Sequence, residues 1–355
     1  KLRDLGRLYE CFETPAELDL KRKKLLNMGK PPVYDRSALF LTDSELKELK
    51  SNRPGHWRFK LDRERINWKD GILGPISIDC ASVSDPVLIR GDGQFLYTLA
   101  SVCDDIDMEI NYVVRGADHV TNTGTQIQML TALNGAIPTF SHHSLLIGSK
   151  GEPLSKRLGK LSLKDMRENG VEAKALFLFM ATLGSSKPLD LEVEINDQIK
   201  IFEPTDFGSA PTKFDYEILK SVSAKLLNKL NYFDVSRDLQ SLGIPNKIAP
   251  DFWEMARENI ENRMEVKQLW ELCVYGVEPL VSTEDSDFVH TAIKLLPQAP
   301  WGKDTWKTWT DLIKSSTDRR GKNLYLPLRK ALTGKESGPD MNKLLPLLQT
   351  IRLLN

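Results

Sequence analysis

Apolar positions along this chain recur with two different periods. In "HWRFKL" Trp57, Phe59 and Leu61 alternate with polar residues, and "GPISIDCA" has a similar signature, with Pro and Gly punctuation around both. A two-residue period places one side of a strand against a core, so this region contains β-structure. Further on, "GQFLYTLASVCDDIDM" predicts a helix with Tyr97 in its middle, and "INYVV" a buried strand. "TNTGTQIQMLTALNG" then predicts a helix ending at Gly135, and "HHSLLIG" one more strand. Alternating strand and helix is the pattern of a parallel sheet with crossover helices. Past "FEPTDFGSAPTKFDYEI", where Pro204, Gly208 and Pro211 interrupt regular structure, the period becomes helical. Ile218, Leu219, Val222, Leu226 and Leu230 are expected on one helical face, and Trp306, Trp309, Leu312 and Ile313 recur at helical spacing. The expected fold class is α/β followed by all-α.

Open α/β sheets bind ligands beyond the carboxyl ends of their strands. Two loops stand there. One, after "INYVV", is Arg115-Gly116-Ala117-Asp118-His119; the other, after "HHSLLIG", carries Ser155, Lys156 and Arg157 between Gly151 and Gly159. Neither is a P-loop or a dinucleotide-binding glycine loop. Lys156 is a compact cation on a glycine-flanked loop, suited to follow charge on a departing phosphate. Ser162, with Asp165 at the capping-box position, should start the helix after it. Arg115 at a strand end could clamp a carboxylate, with the Tyr97 hydroxyl nearby, or it could form an ion pair with Asp104, Asp105 or Asp107. On spacing alone, a nucleotide-dependent transferase and a ligand-binding module remain equally open.

Composition narrows the class. The 355 residues carry 49 Lys+Arg against 49 Asp+Glu, which argues against indiscriminate coating of nucleic acid but leaves local basic surfaces. Two such clusters are "LKRKKLLNMGK" and "DRRGKNLYLPLRK", the latter holding Arg319, Arg320, Lys322, Arg329 and Lys330. Neither a signal-peptide core nor a membrane-length apolar run is present, which gives a cytoplasmic expectation. Cys11, Cys80, Cys103 and Cys273 lack the spacing of a disulfide framework or a metal site, and His142 and His143, being adjacent, should point to opposite faces of a strand.

Three stretches together resemble a known family. "DPVLIRGDGQFLYTLASVCDDIDM", "VVRGADHVTNTGTQIQML" and "LSKRLG" are similar, in order and spacing, to segments of bacterial-type glutamyl-tRNA synthetase, a class I aminoacyl-tRNA synthetase. "LYLPLRKALTGKESGPDM" extends the likeness towards the C-terminus. The resemblance implies part of a Rossmann-like catalytic domain with an inserted acceptor-binding subdomain, then a helical anticodon-binding region. In this chain that organisation reads as 1–75 for the inserted acceptor-stem-binding subdomain and 76–205 for the second half of the catalytic domain with a connecting helical region. Residues 206–355 would then be the helical anticodon-binding domain.

The implied activity is ATP-dependent attachment of glutamate to tRNA through glutamyl-adenylate, with Mg²⁺ assisting at the phosphates. Its implied partners are tRNA-Glu, with tRNA-Gln as an alternative, glutamate and ATP, for a protein expected to be a monomer. Lys156 is implied as the catalytic loop lysine on the pyrophosphate side of ATP, with His119 beside the nucleotide and Leu154 near the adenine. Tyr97, Ser101 and Arg115 match positions that hold glutamate. Arg319, Arg320 and Lys322 fall in the anticodon-binding region and are expected to meet tRNA, while the neighbouring tryptophans could be core or a base-stacking platform. Pro153 stands where the family's loop usually begins with Lys, Ser101 where Asn is frequent, and Cys11 is unaccompanied by other thiols, so no zinc is expected. The family's His-Ile-Gly-His-type motif should precede Lys1. That leaves a non-catalytic tRNA-binding fragment as a further reading; separately, a variant charging tRNA-Gln with glutamate stands as another.

Overall fold

The computed structural model describes residues 1–152, 154 and 162–352. They form two compact units, one built from 1–152, 183–187 and 202–214, the other from 154, 162–182, 188–201 and 215–352.

The described strands of the first unit are Leu8–Cys11 (β1), His56–Phe59 (β2), Arg65–Asp70 (β3), Gly74–Asp79 (β4), Val87–Ile89 (β5), Tyr112–Gly116 (β6), Thr139–His143 (β7), Leu146–Ile147 (β8) and Thr212–Lys213 (β9). β2 lies between β1 and β5, antiparallel to both, and β3 and β4 form an antiparallel hairpin. The parallel pairs are β6 with β7 and β8 with β9. "HHSLLIG" is thus not one strand: its first residues finish β7, and Leu146–Ile147 turn to a different partner, β9, far along the chain.

Helices Pro15–Asn27 (α1) and Asp43–Asn52 (α2) both open on capping boxes, Thr14 with Glu17 and Thr42 with Glu45, which satisfy otherwise orphaned backbone donors. Neither helix buries a residue, so the basic run Lys21 to Lys24 lies on a solvated helix. Lys21 is nevertheless engaged, with Glu13 and Asp35, and Lys23 pairs with Asp19.

Tyr97–Asp107 (α3) and Val120–Leu133 (α4) cover the core formed by Phe59, Leu61, Leu88, Val102, Met129, Leu130 and Phe140. Tyr97 is the first residue of α3, not a mid-helix position. Asn134, in the left-handed conformation, ends α4 one residue before the expected Gly135. The stretch Thr123 to Leu130 is buried all round, including Thr123, Thr125, Gln126 and Gln128. Buried amides and hydroxyls need partners, and those of this helix make the site described below.

In the second unit, Ser162 and Asp165 form the expected capping box at the start of Leu163–Glu168. In Tyr216–Lys229 the buried face is Leu219, Val222, Ser223, Leu226 and Leu227, while Ile218 is exposed. At 100° per residue, Leu227 completes the stripe that Ile218 would have bounded on the other side. The main core gathers Phe252, Trp253, Trp270, Trp306, Trp309, Leu328 and Leu344. Of the aromatic stripe, Trp306, Trp309 and Ile313 are buried and Leu312 is exposed. No helix among the described residues is long and apolar enough to cross a membrane.

Candidate active site

The hairpin of β3 and β4 begins the site. Asp70 ends β3, and its Oδ1 accepts hydrogen bonds from the backbone N–H groups of Ile72 and Leu73, each at 3.0 Å, which closes the turn. Gly71 follows because nothing larger fits: a Cβ there would lie 2.2 Å from Ser141 Oγ and 2.7 Å from Tyr112 Oη. Its N–H bonds to the Phe140 carbonyl at 2.8 Å, so the hairpin docks on β7.

On β7, His142 points inward and is fully buried while His143 faces outward, as their adjacency predicts. The His142 backbone N–H also bonds to Asp70 Oδ1 (3.0 Å), and its Nδ1 lies 2.5 Å from Asp70 Oδ2. Across the parallel pair, Arg115 of β6 sits in register with His142. Its Nε donates to His142 Nε2 at 3.2 Å, its Nη2 bonds to Thr123 Oγ1 of α4, and its guanidinium carbon lies 5.2 Å from the centroid of the Phe140 ring.

Electrostatics follow from these contacts. Burial alone would raise the Asp70 carboxyl, but the donors Leu73, His142 and Ile72 outweigh it and hold the carboxyl below its ordinary value. Burial lowers the His142 imidazole, which Asp70 opposes and Arg115 and His119 reinforce. The balance is a neutral imidazole. Burial also works against the Arg115 cation, with Tyr97, Asp105 and Asp118 favouring it. Among the described residues no carboxylate lies within ion-pair distance of Arg115, so the alternative pairing with Asp104, Asp105 or Asp107 is not formed.

Other expected site residues converge here. The Tyr97 ring meets the imidazole of His119 edge-on, with centroids 5.9 Å apart, and Tyr97 is 56% exposed, open to a ligand. Ser101, one turn along α3, accepts from Gln126 Nε2 of α4 at 2.8 Å. Gln126 Oε1 is buried without a partner among the described residues. Leu154 is half-buried in the second unit, and Lys156 lies outside the described residues. In the second unit Arg319 pairs with Asp285, whereas the exposed Arg320 donates, among the described residues, to the backbone carbonyls of Thr317 and Arg319, and Lys322 is exposed.

Cys11 is less isolated than its spacing suggests. Its sulfur, a Glu13 oxygen and a His56 nitrogen lie within 4.8 Å of one another. A structural zinc site is tetrahedral with four protein ligands. Among the described residues the donors here number three, the Cys11 thiol is pushed up to about 11 chiefly by burial, and the Lys21 ammonium already stands 3.2 Å from Glu13 Oε1. Tyr34 Oη also donates to that oxygen, at 2.8 Å. This donor set does not fit the zinc pattern.

Comparison with known proteins decides the family. Residues 1–221 match the family described as tRNA synthetases class I (E and Q), catalytic domain. Over 353 residues the chain is 58% identical to glutamate--tRNA ligase 1 of Roseobacter denitrificans, covering 99% of this chain and 80% of that protein. The chain belongs to the class I tRNA synthetases of the glutamate and glutamine type. Glutamate--tRNA ligase 1 of Ruegeria pomeroyi is 57% identical over the same shares. The crystal structure of a glutamate tRNA ligase from Elizabethkingia meningosepticum in complex with its amino acid matches with a TM-score of 0.78 and 21% identity, over 98% of this chain and 77% of that one. It supports the α/β-then-helical fold of this synthetase.

Four polar residues of the candidate site are not among those the sequence pointed to: Asp70, Thr123, Gln126 and His142. Asp70 and His142 are 72 positions apart, and no local period connects them. The available signal was compositional, in that polar residues interrupt what should be apolar stretches of α4 and β7.

Proposed function

We propose that this synthetase attaches glutamate to tRNA in two displacements. The glutamate carboxylate attacks the α-phosphorus of ATP and pyrophosphate leaves; a terminal ribose hydroxyl of tRNA then attacks the adenylate carbonyl, loses its proton and releases AMP. Such steps need positioning and charge stabilisation and no covalent nucleophile. The observation that carries the reading is the 58% identity, across nearly the whole chain, to a glutamate--tRNA ligase. Arg115 adds to it: a half-buried guanidinium with no carboxylate paired to it among the described residues suits an acidic substrate.

Within this reading Arg115, Tyr97 and Ser101 hold glutamate, and His119 and Leu154 flank the nucleotide. Lys156 stabilises the departing pyrophosphate, so Lys156→Ala should slow adenylate formation by about 10²–10³. Mg²⁺ would come bound to the ATP phosphates, since it favours substrate phosphate oxygens and water over all-protein cages. Arg320 and Lys322 form the surface offered to tRNA, beside Arg319, which Asp285 and Phe288 hold in place.

The test is parallel charging of tRNA-Glu and tRNA-Gln transcripts by the full-length enzyme with labelled glutamate. ATP-dependent charging of tRNA-Glu is expected. Charging of tRNA-Gln instead identifies the variant specificity, and tRNA binding without any charging overturns the enzymatic reading.

A further inference from the structure

We propose that Asp70 and His142 are positioning residues that set the direction of the Arg115 guanidinium towards the glutamate carboxylate. The inference rests on Arg115 being the glutamate clamp and names what holds that clamp in place.

A carboxylate has no proton to donate. The short contact between Asp70 Oδ2 and His142 Nδ1 (2.5 Å) therefore fixes the imidazole proton on Nδ1. Asp70 cannot turn away, because its Oδ1 already accepts three backbone N–H groups, those of Ile72, Leu73 and His142. With Nδ1 protonated, Nε2 of the neutral ring is a pure acceptor. It faces Arg115 Nε at 3.2 Å and Thr123 Oγ1 at 2.8 Å. Arg115 is thus held through Nε by His142, through Nη2 by Thr123 and on one face by Phe140. Tyr97 is a further hydrogen-bond partner of the guanidinium, and no carboxylate pairs with it among the described residues.

A planar guanidinium with its Nε and Nη2 edge fixed can rotate little. Its remaining N–H groups present one direction to a ligand. Burying a carboxylate and an imidazole fully is costly, and packing alone would be served as well by apolar side chains. Orientation of the half-buried cation is what this pair supplies and an apolar pair would not.

The tautomer is the point of failure. Asp70→Asn keeps size and can still accept the backbone hydrogen bonds, but its amide N–H would face Nδ1. The imidazole proton would move to Nε2 and oppose Arg115 Nε–H, donor against donor. In the full-length enzyme, pyrophosphate exchange should then show the KM for glutamate raised about tenfold or more, the size of one misaligned charge-assisted hydrogen bond. The KM for ATP should stay within about twofold, and the loss should appear in KM rather than kcat. Long-range ¹H–¹⁵N spectra of the histidine rings should show Nδ1–H for His142 in the wild type and Nε2–H in the variant. Should Asp70→Asn fail to fold, Thr123→Val removes the second anchor without changing shape, and it too should raise the KM for glutamate selectively. Arg115→Ala separates the two levels of the proposal. If it leaves glutamate affinity intact, the clamp reading falls. If it abolishes affinity while Asp70→Asn flips the tautomer and leaves the KM for glutamate unchanged, the positioning role is overturned and the clamp stands. An equal loss in kcat and both KM values would likewise overturn it, as the mark of a merely structural pair.

Discussion

Arg319 lays its guanidinium over the ring of Phe288, with 4.5 Å between the guanidinium carbon and the ring centroid, and pairs with Asp285 at the start of the same helix, Thr283–Lys294. The pairing holds the Asp285 carboxyl below its ordinary value. Arg319 is therefore engaged within its own unit, while Arg320 and Lys322 are exposed.

Separate outcomes are expected for the three cations. Arg319→Ala should destabilise the helical unit by about 1–2 kcal/mol, from a cation–π contact and a partly exposed ion pair. The double change Arg320→Ala, Lys322→Ala should leave the unfolding midpoint unchanged and flatten the salt dependence of tRNA binding. For every phosphate no longer neutralised, the slope should fall by about 1. Binding against salt, measured beside thermal melts, checks both; parallel binding lines would mean Arg320 and Lys322 are an ordinary solvated face.

Arg115→Lys is expected to be far from conservative. An ammonium cannot bond His142 Nε2 and Thr123 Oγ1 together and still offer a planar edge to a carboxylate. The KM for glutamate should rise by roughly ten- to a hundredfold, corresponding to about 1.4–2.8 kcal/mol. Titration with glutamate at fixed ATP tests this, and equal affinity would make Arg115 a structural residue.

Local patterns made some of this site legible and geometry hid the rest. The strand at Tyr112–Gly116, which runs on through Arg115 where the sequence predicts the start of a loop, the helix carrying Ser101 and the capping box at Ser162 all follow from periods and cap chemistry within a few residues of each other. The division of "HHSLLIG" into two strands depends on Thr212–Lys213, some 65 positions away, which no period within the stretch reveals. Likewise Asp70 closes a turn as any Asp after a strand could, and only the fold makes it the partner of His142. Glu13 and His56 reach Cys11 by the pairing of β1 with β2, so sequence spacing counted Cys11 as alone.

Acid should weaken this protein before its carboxylates titrate. Burial holds His142 below its ordinary 6.5, with Asp70 opposing and Arg115 and His119 adding to the shift. Once pH falls past about 6.5 the unfolded chain takes up a proton that folded His142 resists, so the unfolded state binds more protons and stability declines with falling pH. That contribution is complete above the ordinary value and is lost as pH drops towards the lowered one. Asp70, also lowered, contributes in the same sense but only below 3.8. His56 is lowered as well, chiefly by burial, so the wild type alone does not isolate His142. The check is the melting midpoint from pH 7 to pH 5 in wild type and His142→Gln. The variant should begin lower and fall less steeply, and identical slopes would show that His142 titrates normally.

Trp309 supplies the last expectation, because its alternative reading was a platform for tRNA bases. Its side chain is fully buried, its Nε1 donates to the Ala292 carbonyl at 2.8 Å, and its ring meets Trp306 edge-on at 5.5 Å between centroids. A ring with no exposed face cannot stack on a base. Its free energy lies in packing and in one satisfied carbonyl, so Trp309→Ala should cost about 3–5 kcal/mol through the cavity it leaves in the core. Trp309→Phe keeps most of the volume but leaves the indole's hydrogen bond unmade, at about 1–3 kcal/mol. Denaturant melts of the helical unit should rank wild type above Phe above Ala. Conditions that keep each variant folded should leave tRNA affinity unchanged. A fall in affinity with the melting midpoint held constant would instead make Trp309 part of the tRNA surface, which its burial opposes.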